Sequence, residues 1–493
     1  MTITALAASA ALAAGTVGAA APAAAEPGRL SWHTCRTGAD DPVGAELDRI
    51  GAQCADVAVP LDYSRPRGRT ITVAISRLPA ADRANRVGAL LLNGGGPGGT
   101  GIDMPLLVAG QETARSRFDL IGMDPRFVGR STPLDCGWPT GTWIRSAGHD
   151  RRAFDRMTAF QADLSQRCAD AVPDLIPHAS TRNTARDMDV IRAALGERRL
   201  SYLGYSYGTY LGAVYTQLFP HRVDRVVLDS AVDPDGYGPR LLRDNGPAIR
   251  AGLRDWAGWA AEHHGEYGLG ATPDAVIATV TAVDAAAART PLRVGPYTVD
   301  EHVLPALVFS GLYDDRDAPN AELAETVRVL HRAAVDGAAD PTPALAEQLR
   351  FITTAEESHY GSVQASILCA DRAAPRDPEV YRRDIEAHRG DEPVFAPLIR
   401  NLGPCAFWPT APRERPTGVD NRVPALVVQS TGDVATTYDA GRAMHRAMAG
   451  SRLLTLRDAR IHAVYANYGN ACVDGRVNEY LRTGVLPARD LSC

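Results

Sequence analysis

The sequence predicts an α/β protein: a mostly parallel, doubly wound sheet with a helical cap inserted late in the chain. Three observations carry this. Apolar strand-like runs alternate with helical patterns from about residue 69 to 235; the texture turns helical from 236 to 414; and strand character returns after 415. At 493 residues the chain exceeds one small core, so one large domain with an insertion, or two domains, is expected.

The elements follow in order. Residues 1–25 are uncharged and rich in Ala. Ile3 to Ala20 reads as the apolar region of an export leader and Ala23-Ala24-Ala25 before Glu26 as its cleavage site, although no basic residue precedes the run. The first part of the core then spans 26–235. Thr70 to Ile75 alternates as a half-exposed strand, and Gly88 to Leu92 and Phe118 to Met123 are short apolar runs of buried-strand type. Residues 181–196 carry Ala185, Met188, Ile191 and Leu195 near one helical face. Strands are read at 199–203 and Val223 to Leu228, with a helix from Thr209 between them. The insertion, 236–414, has sparse strand signals, and its expected position is over the strand C-termini, where ligands bind in open α/β sheets. A Pro- and Arg-rich return linker covers Pro409 to Pro424. The second part of the core, 415–493, holds strands at Val423 to Val428 and Arg452 to Leu456.

Composition removes several chemistries. Basic and acidic residues number 52 and 58, for a net charge of -6. No basic patch suggests nucleic acid as a partner, and no segment after the leader is apolar enough to span a bilayer. All the basic residues are Arg; without lysine there is no Schiff base, no phosphate-binding P-loop and no Ser-Lys dyad. The eight cysteines lack any C-x-x-C spacing, so neither zinc nor any other metal or cofactor is expected. They fall into neighbouring pairs, Cys35 and Cys54, Cys136 and Cys168, Cys369 and Cys405, Cys472 and Cys493. Sequence leaves connectivity open; neighbour pairing is the simplest, each bridge contributing about 3 kcal/mol in the chain-entropy view. An even count with a leader points to an oxidising, extracellular location.

Gly204-Tyr205-Ser206-Tyr207-Gly208 lies between a strand and a helix, the context of a nucleophile elbow. A serine needs a base and an orienting acid, and in α/β-hydrolases these follow in the order Ser, acid, His. Asp433 comes after the strand ending near Val428, and His462 after the strand ending at Leu456. Asp229, after Val223 to Leu228, is the rival acid; His445, His359, His263 and His264 are rival bases on helical segments. The oxyanion donors expected are the backbone N–H of Tyr207 and one from the glycine run Asn93 to Gly99, at Gly95 or Gly96.

These residues, with Asn93 to Gly101 (NGGGPGGTG), Asp124-Pro125-Arg126, Gly129-Arg130-Ser131, Thr184 to Asp189, Leu368 to Asp371 and Asn470 to Val473, resemble a known family. It is that of the secreted actinobacterial tripeptidyl aminopeptidases, in the proline-iminopeptidase group of α/β-hydrolases. The resemblance covers most of the chain after residue 30. It implies metal-free removal of short peptides from free N-termini outside the cell, with Ser206, Asp433 and His462 as the catalytic set. Peptide or protein N-termini are then the expected substrates, and a monomer the expected state. Gly94 and Thr100 replace the usual Pro and Ser, Phe127 replaces Gly, Ile461 and Ala463 stand where glycines usually flank the histidine, and Val434 to Thr437 lacks the usual proline. An aminopeptidase must also hold a cationic α-amine, for which Glu356, Glu357 and Asp371 are the candidates. An esterase on the same scaffold is the alternative enzyme; a non-catalytic binding protein is the alternative of another class.

Overall fold

The computed structural model describes residues 30–493; the leader reading of 1–25 lies outside the described residues. Strands β1 (Gln53–Pro60), β2 (Thr70–Leu78), β3 (Gly88–Asn93), β4 (Phe118–Met123), β5 (Leu200–Tyr205) and β6 (Val223–Asp229) precede the insertion. A small sheet inside the insertion comprises β7 (Leu292–Val294), β8 (Tyr297–Val299) and β9 (Ala338–Ala339). Then follow β10 (Leu426–Ser430), β11 (Arg452–Leu456) and β12 (Leu491–Ser492). The main sheet has the order β1-β2-β4-β3-β5-β6-β10-β11-β12. It is antiparallel across β1/β2 and β2/β4 and parallel from β4 to β12.

The parallel strands are mainly apolar because both faces are covered. Successive side chains point to opposite faces: Ala89 and Leu91 of β3 join one layer, Leu90 and Leu92 the other. The first layer is closed by helices Thr181–Ala194 and Tyr207–Leu218, through Met188, Ile191, Leu211 and Val214. The second is closed by Ala471–Thr483, through Val473, Val477 and Leu481.

Between β6 and β10 the chain builds a further apolar core. Ile249, Trp256, Val276, Val280, Leu323, Leu330 and Leu345, from four helices, pack together. Helix Ser358–Asp371 behaves differently: its Val363, Ile367 and Leu368 belong to the sheet's first layer. It is therefore an element of the insertion rooted in the α/β core.

Disulfides join Cys35 to Cys54, Cys136 to Cys168, Cys369 to Cys405 and Cys472 to Cys493, the neighbour pairing. No helix among the described residues is long and apolar enough to cross a membrane.

Candidate active site

β3, β5, β6, β10 and β11 run parallel, so the loops that leave their C-terminal ends share one edge of the sheet. On that edge lie the glycine run after β3, Ser206 after β5, Asp229 at the end of β6, Asp433 after β10 and His462 after β11.

Ser206 occupies φ 55°, ψ -124°, a region that costs a non-glycine residue about 1–3 kcal/mol. The surroundings enforce it through the backbone. Ser206 N donates to Asp229 O at 3.0 Å, and Thr209 donates to Ser206 O from both its N (2.9 Å) and its Oγ1 (2.6 Å). The flanking glycines are sterically required. A Cβ on Gly204 would lie 2.5 Å from Gly208 O, and one on Gly208 2.7 Å from Asn93 Oδ1.

The glycine run packs directly on this turn. Gly95 has φ 99°, and a Cβ there would lie 2.7 Å from Tyr205 O and 3.0 Å from Ser206 Cβ. Its N–H donates to Asn93 Oδ1 at 3.1 Å, whereas the Gly96 N–H has no hydrogen-bond partner among the described residues. Tyr207 is the first residue of its helix, so its N–H is one of the donors that helix geometry leaves free. The loop's exit is fixed by the Asp-Pro-Arg motif. Asp124 Oδ1 accepts from Gly101 N and Ile102 N, and Asp124 Oδ2 from Arg130 N. Arg126 forms a fully buried fork on Asp187. Phe127 sits at φ 73° with its ring in the core beside the sheet, not in the site.

His462 Nδ1 is 2.9 Å from Asp433 Oδ2. Asp433 is buried and otherwise surrounded by donors: Ala435 N (2.8 Å) and Thr436 N (2.9 Å) on Oδ1, Thr436 Oγ1 (2.8 Å) on Oδ2. Burial pulls the imidazole pKa down, but the charge and hydrogen bond of Asp433, with Asp229 behind, outweigh it and raise it overall. The histidine's own loop is anchored by Asp229, which accepts from Val464 N and Tyr465 N, while Ser230 Oγ accepts from Ala463 N. Asp229 thus holds the histidine loop and makes no hydrogen bond to the ring. Ala463 stands at φ 68°, which explains why glycine is usual at that position. No hydrogen bond joins the Ser206 hydroxyl to His462 among the described residues; such bonds often tighten only when substrate binds.

His445 bonds Ser451 Oγ and pairs with Asp490, and His263 is stacked on Trp259. The three acidic candidates are dispersed. Glu356 is exposed and paired with Arg350 at 2.6 Å, and Glu357 is half-buried near His359. Asp371 is buried, accepting from Thr181 N, Thr181 Oγ1 and Tyr237 Oη; Thr181 Oγ1 also bonds Tyr207 Oη. Asp371 therefore ties the end of helix Ser358–Asp371 to the residue after Ser206.

Burial lifts the Asp371 carboxyl to about 7, against the pull of those hydrogen bonds. With the folded pKa above the unfolded one, the folded state binds this proton more tightly. The contribution is complete below the unfolded pKa and is lost as pH rises through about 7. Asp371→Asn is therefore expected to flatten the decline of stability over that window. Urea midpoints at about pH 4, 6 and 8 measure it, and a variant curve parallel to wild type would contradict it.

A cavity of about 670 Å³ reaches the site through Tyr313. Tyr313 joins it to the histidine: Tyr313 O accepts from His462 N at 2.9 Å and its ring meets the imidazole edge-on at 5.3 Å. Phe309, Phe351 and Ile352 form apolar walls; Glu322, Glu347, Tyr360 and Gln364 add polar groups. Glu322 and Glu347 are exposed, and neither pairs with an arginine among the described residues. None of these lining residues was singled out by sequence, where they lie scattered through helices without a local pattern.

Comparison with known proteins adds the lineage. A family model described as "alpha/beta hydrolase fold" matches residues 88–307, and one described as "TAP-like protein" matches 392–493. The tripeptidyl aminopeptidase of Streptomyces lividans is 37% identical over 464 residues, spanning 90% of this chain and 83% of the relative. Serine protease Hip1 of Mycobacterium tuberculosis is 33% identical over 484 residues, spanning 90% and 87%. A protein of the same species named carboxylesterase B is 29% identical over 517 residues, spanning 94% and 89%.

Proposed function

Because this chain belongs to the tripeptidyl-aminopeptidase-like family of α/β hydrolases, we propose that it is a serine exopeptidase that releases short peptides, tripeptides foremost, from free N-termini. The observation that carries the reading is the His462–Asp433 pair on the same sheet edge as a strained serine elbow. In this mechanism His462 Nε2 takes the Ser206 proton as Oγ attacks the scissile carbonyl, and then returns it to the leaving amine; Asp433 keeps the imidazole proton on Nδ1. The N–H groups of Gly96 and Tyr207 receive the oxyanion, while Gly95 lets the loop approach the serine. Water then attacks the acyl-enzyme by the reverse proton path.

Exopeptidase action needs an anchor for the substrate's α-ammonium. Glu322 and Glu347 suit it better than Glu356, Glu357 or Asp371, because they line the cavity and carry no arginine partner. Export belongs to the same reading, supported by four disulfides, which persist in oxidising compartments. The esterase alternative draws on the carboxylesterase B relative.

Free and N-acetylated tripeptide p-nitroanilides test the reading. The free peptide is expected to be cleaved about a hundredfold faster, the scale of a charge-assisted hydrogen bond. Joint Glu322→Gln and Glu347→Gln substitution is expected to erase most of that preference. Equal rates on both peptides would reject exopeptidase action, and cleavage of acyl esters alone would favour the esterase.

A further inference from the structure

Gln364 carries a buried polar atom left without a partner among the described residues. It lies on helix Ser358–Asp371, is 6% exposed, and lines the cavity. Its Oε1 is fully buried without a hydrogen-bond partner among the described residues, and its Nε2 makes none there either. The carbonyl end is thus a buried acceptor left unpaired, a standing cost to the fold, and such groups in native proteins are few enough to demand a reason. Its position supplies one. The helix abuts the glycine run so closely that a Cβ on Gly98 would lie 3.1 Å from Tyr360 O and 3.3 Å from Gln364 N. The backbone of Gln364 therefore sits next to the loop that faces Ser206, and its side chain lines the cavity. Tyr360, one turn earlier on the same helix, and Tyr313 also line the cavity, with hydroxyls that lack partners among the described residues.

A primary amide offers one donor end and one acceptor end, exchangeable by rotation of its terminal bond. The group that matches both is another amide. On the exopeptidase reading above, the cavity holds the residues on the amino side of the scissile bond, and these bring peptide groups that a simple acyl ester lacks. We propose that Gln364 is a substrate-binding residue that pairs with a backbone peptide group of the bound chain, so that its hydrogen bonds select peptides over simple esters. The unpaired state is the unbound enzyme's cost, recovered only by a substrate with an N–H and a C=O in register.

The test compares wild type with Gln364→Met, which keeps length and removes both hydrogen-bonding ends, and Gln364→Glu, which keeps acceptors and removes the donor. Substrates are a free tripeptide p-nitroanilide and p-nitrophenyl butyrate. Gln364→Met is expected to lower kcat/KM on the peptide about tenfold, the scale of a neutral hydrogen bond in a water-poor site, with the ester rate within about twofold of wild type. Gln364→Glu is expected to lower the peptide rate and again spare the ester. Parallel loss on both substrates in both variants would make Gln364 a scaffold residue and overturn the proposal, as would an unchanged peptide rate. A wild-type enzyme that cleaves the ester and no peptide would overturn the exopeptidase reading itself, a result separate from any difference among variants.

Discussion

Ser206→Ala is expected to lower kcat by about six orders of magnitude, the scale seen when the nucleophile of a serine triad is removed, and to leave the fold untouched. Both halves follow from how this serine is held. Every hydrogen bond that fixes it uses its backbone: N to Asp229 O, and O from Thr209. The hydroxyl itself carries no structural bond among the described residues, so its removal orphans nothing. Alanine meets the same steric penalty at φ 55° as serine does, so the stability change is expected within about 0.5 kcal/mol. Loss of p-nitroanilide turnover and of fluorophosphonate labelling, with an unshifted thermal midpoint, is the predicted result. Retained labelling would place the nucleophile elsewhere; a large drop in the midpoint would show that the hydroxyl has a structural partner.

The placement of these groups on one sheet edge was legible in sequence because each follows a short, mainly apolar strand. β3, β5, β6, β10 and β11 are buried on both faces, and their C-terminal ends carry Asn93 to Gly99, Ser206, Asp229, Asp433 and His462. Parallel strands put those ends together whatever intervenes. β1 escaped notice because its alternating burial, ending at Pro60 on the sheet's edge, resembles a loop with scattered apolar residues. The three short strands of the insertion are too brief for any period to register.

The substrate side was illegible for a different reason. Its walls come from residues 142–144, 306–322, 344–352 and 360–364, brought together only when the insertion packs against the segment around residue 143. Glu356 and Glu357 stood out because they are adjacent in sequence, yet they lie beside Arg350 and His359 and do not line the cavity. Glu322 and Glu347 are 25 residues apart and acquire meaning only across the cavity. Asp371 stood out as part of a motif, and its role in the structure is to hold Thr181 and Tyr237 behind the elbow.

Asp433→Asn is expected to cost about four orders of magnitude in kcat, as when the acid of such a triad is made neutral, through the tautomer and not through any change in packing. All four partners of the carboxylate approach it as donors: Ala435 N, Thr436 N, Thr436 Oγ1 and His462 Nδ1. An asparagine has one acceptor oxygen, and the two backbone N–H groups, which cannot rotate, claim it. The amide NH₂ then occupies the Oδ2 position. Thr436 can turn its hydroxyl to accept. His462 Nδ1 can accept only by giving up its proton, which moves to Nε2, the nitrogen that has to receive the serine's proton. The ring is thus locked in the form that cannot act as a base. The charge that raised its pKa is also gone, so the acid limb of whatever activity remains moves to lower pH. The kcat/KM profile of Asp433→Asn against pH, read beside its thermal midpoint, checks both. Activity within about tenfold of wild type would mean that another acid, Asp229 being nearest in the fold, orients the histidine.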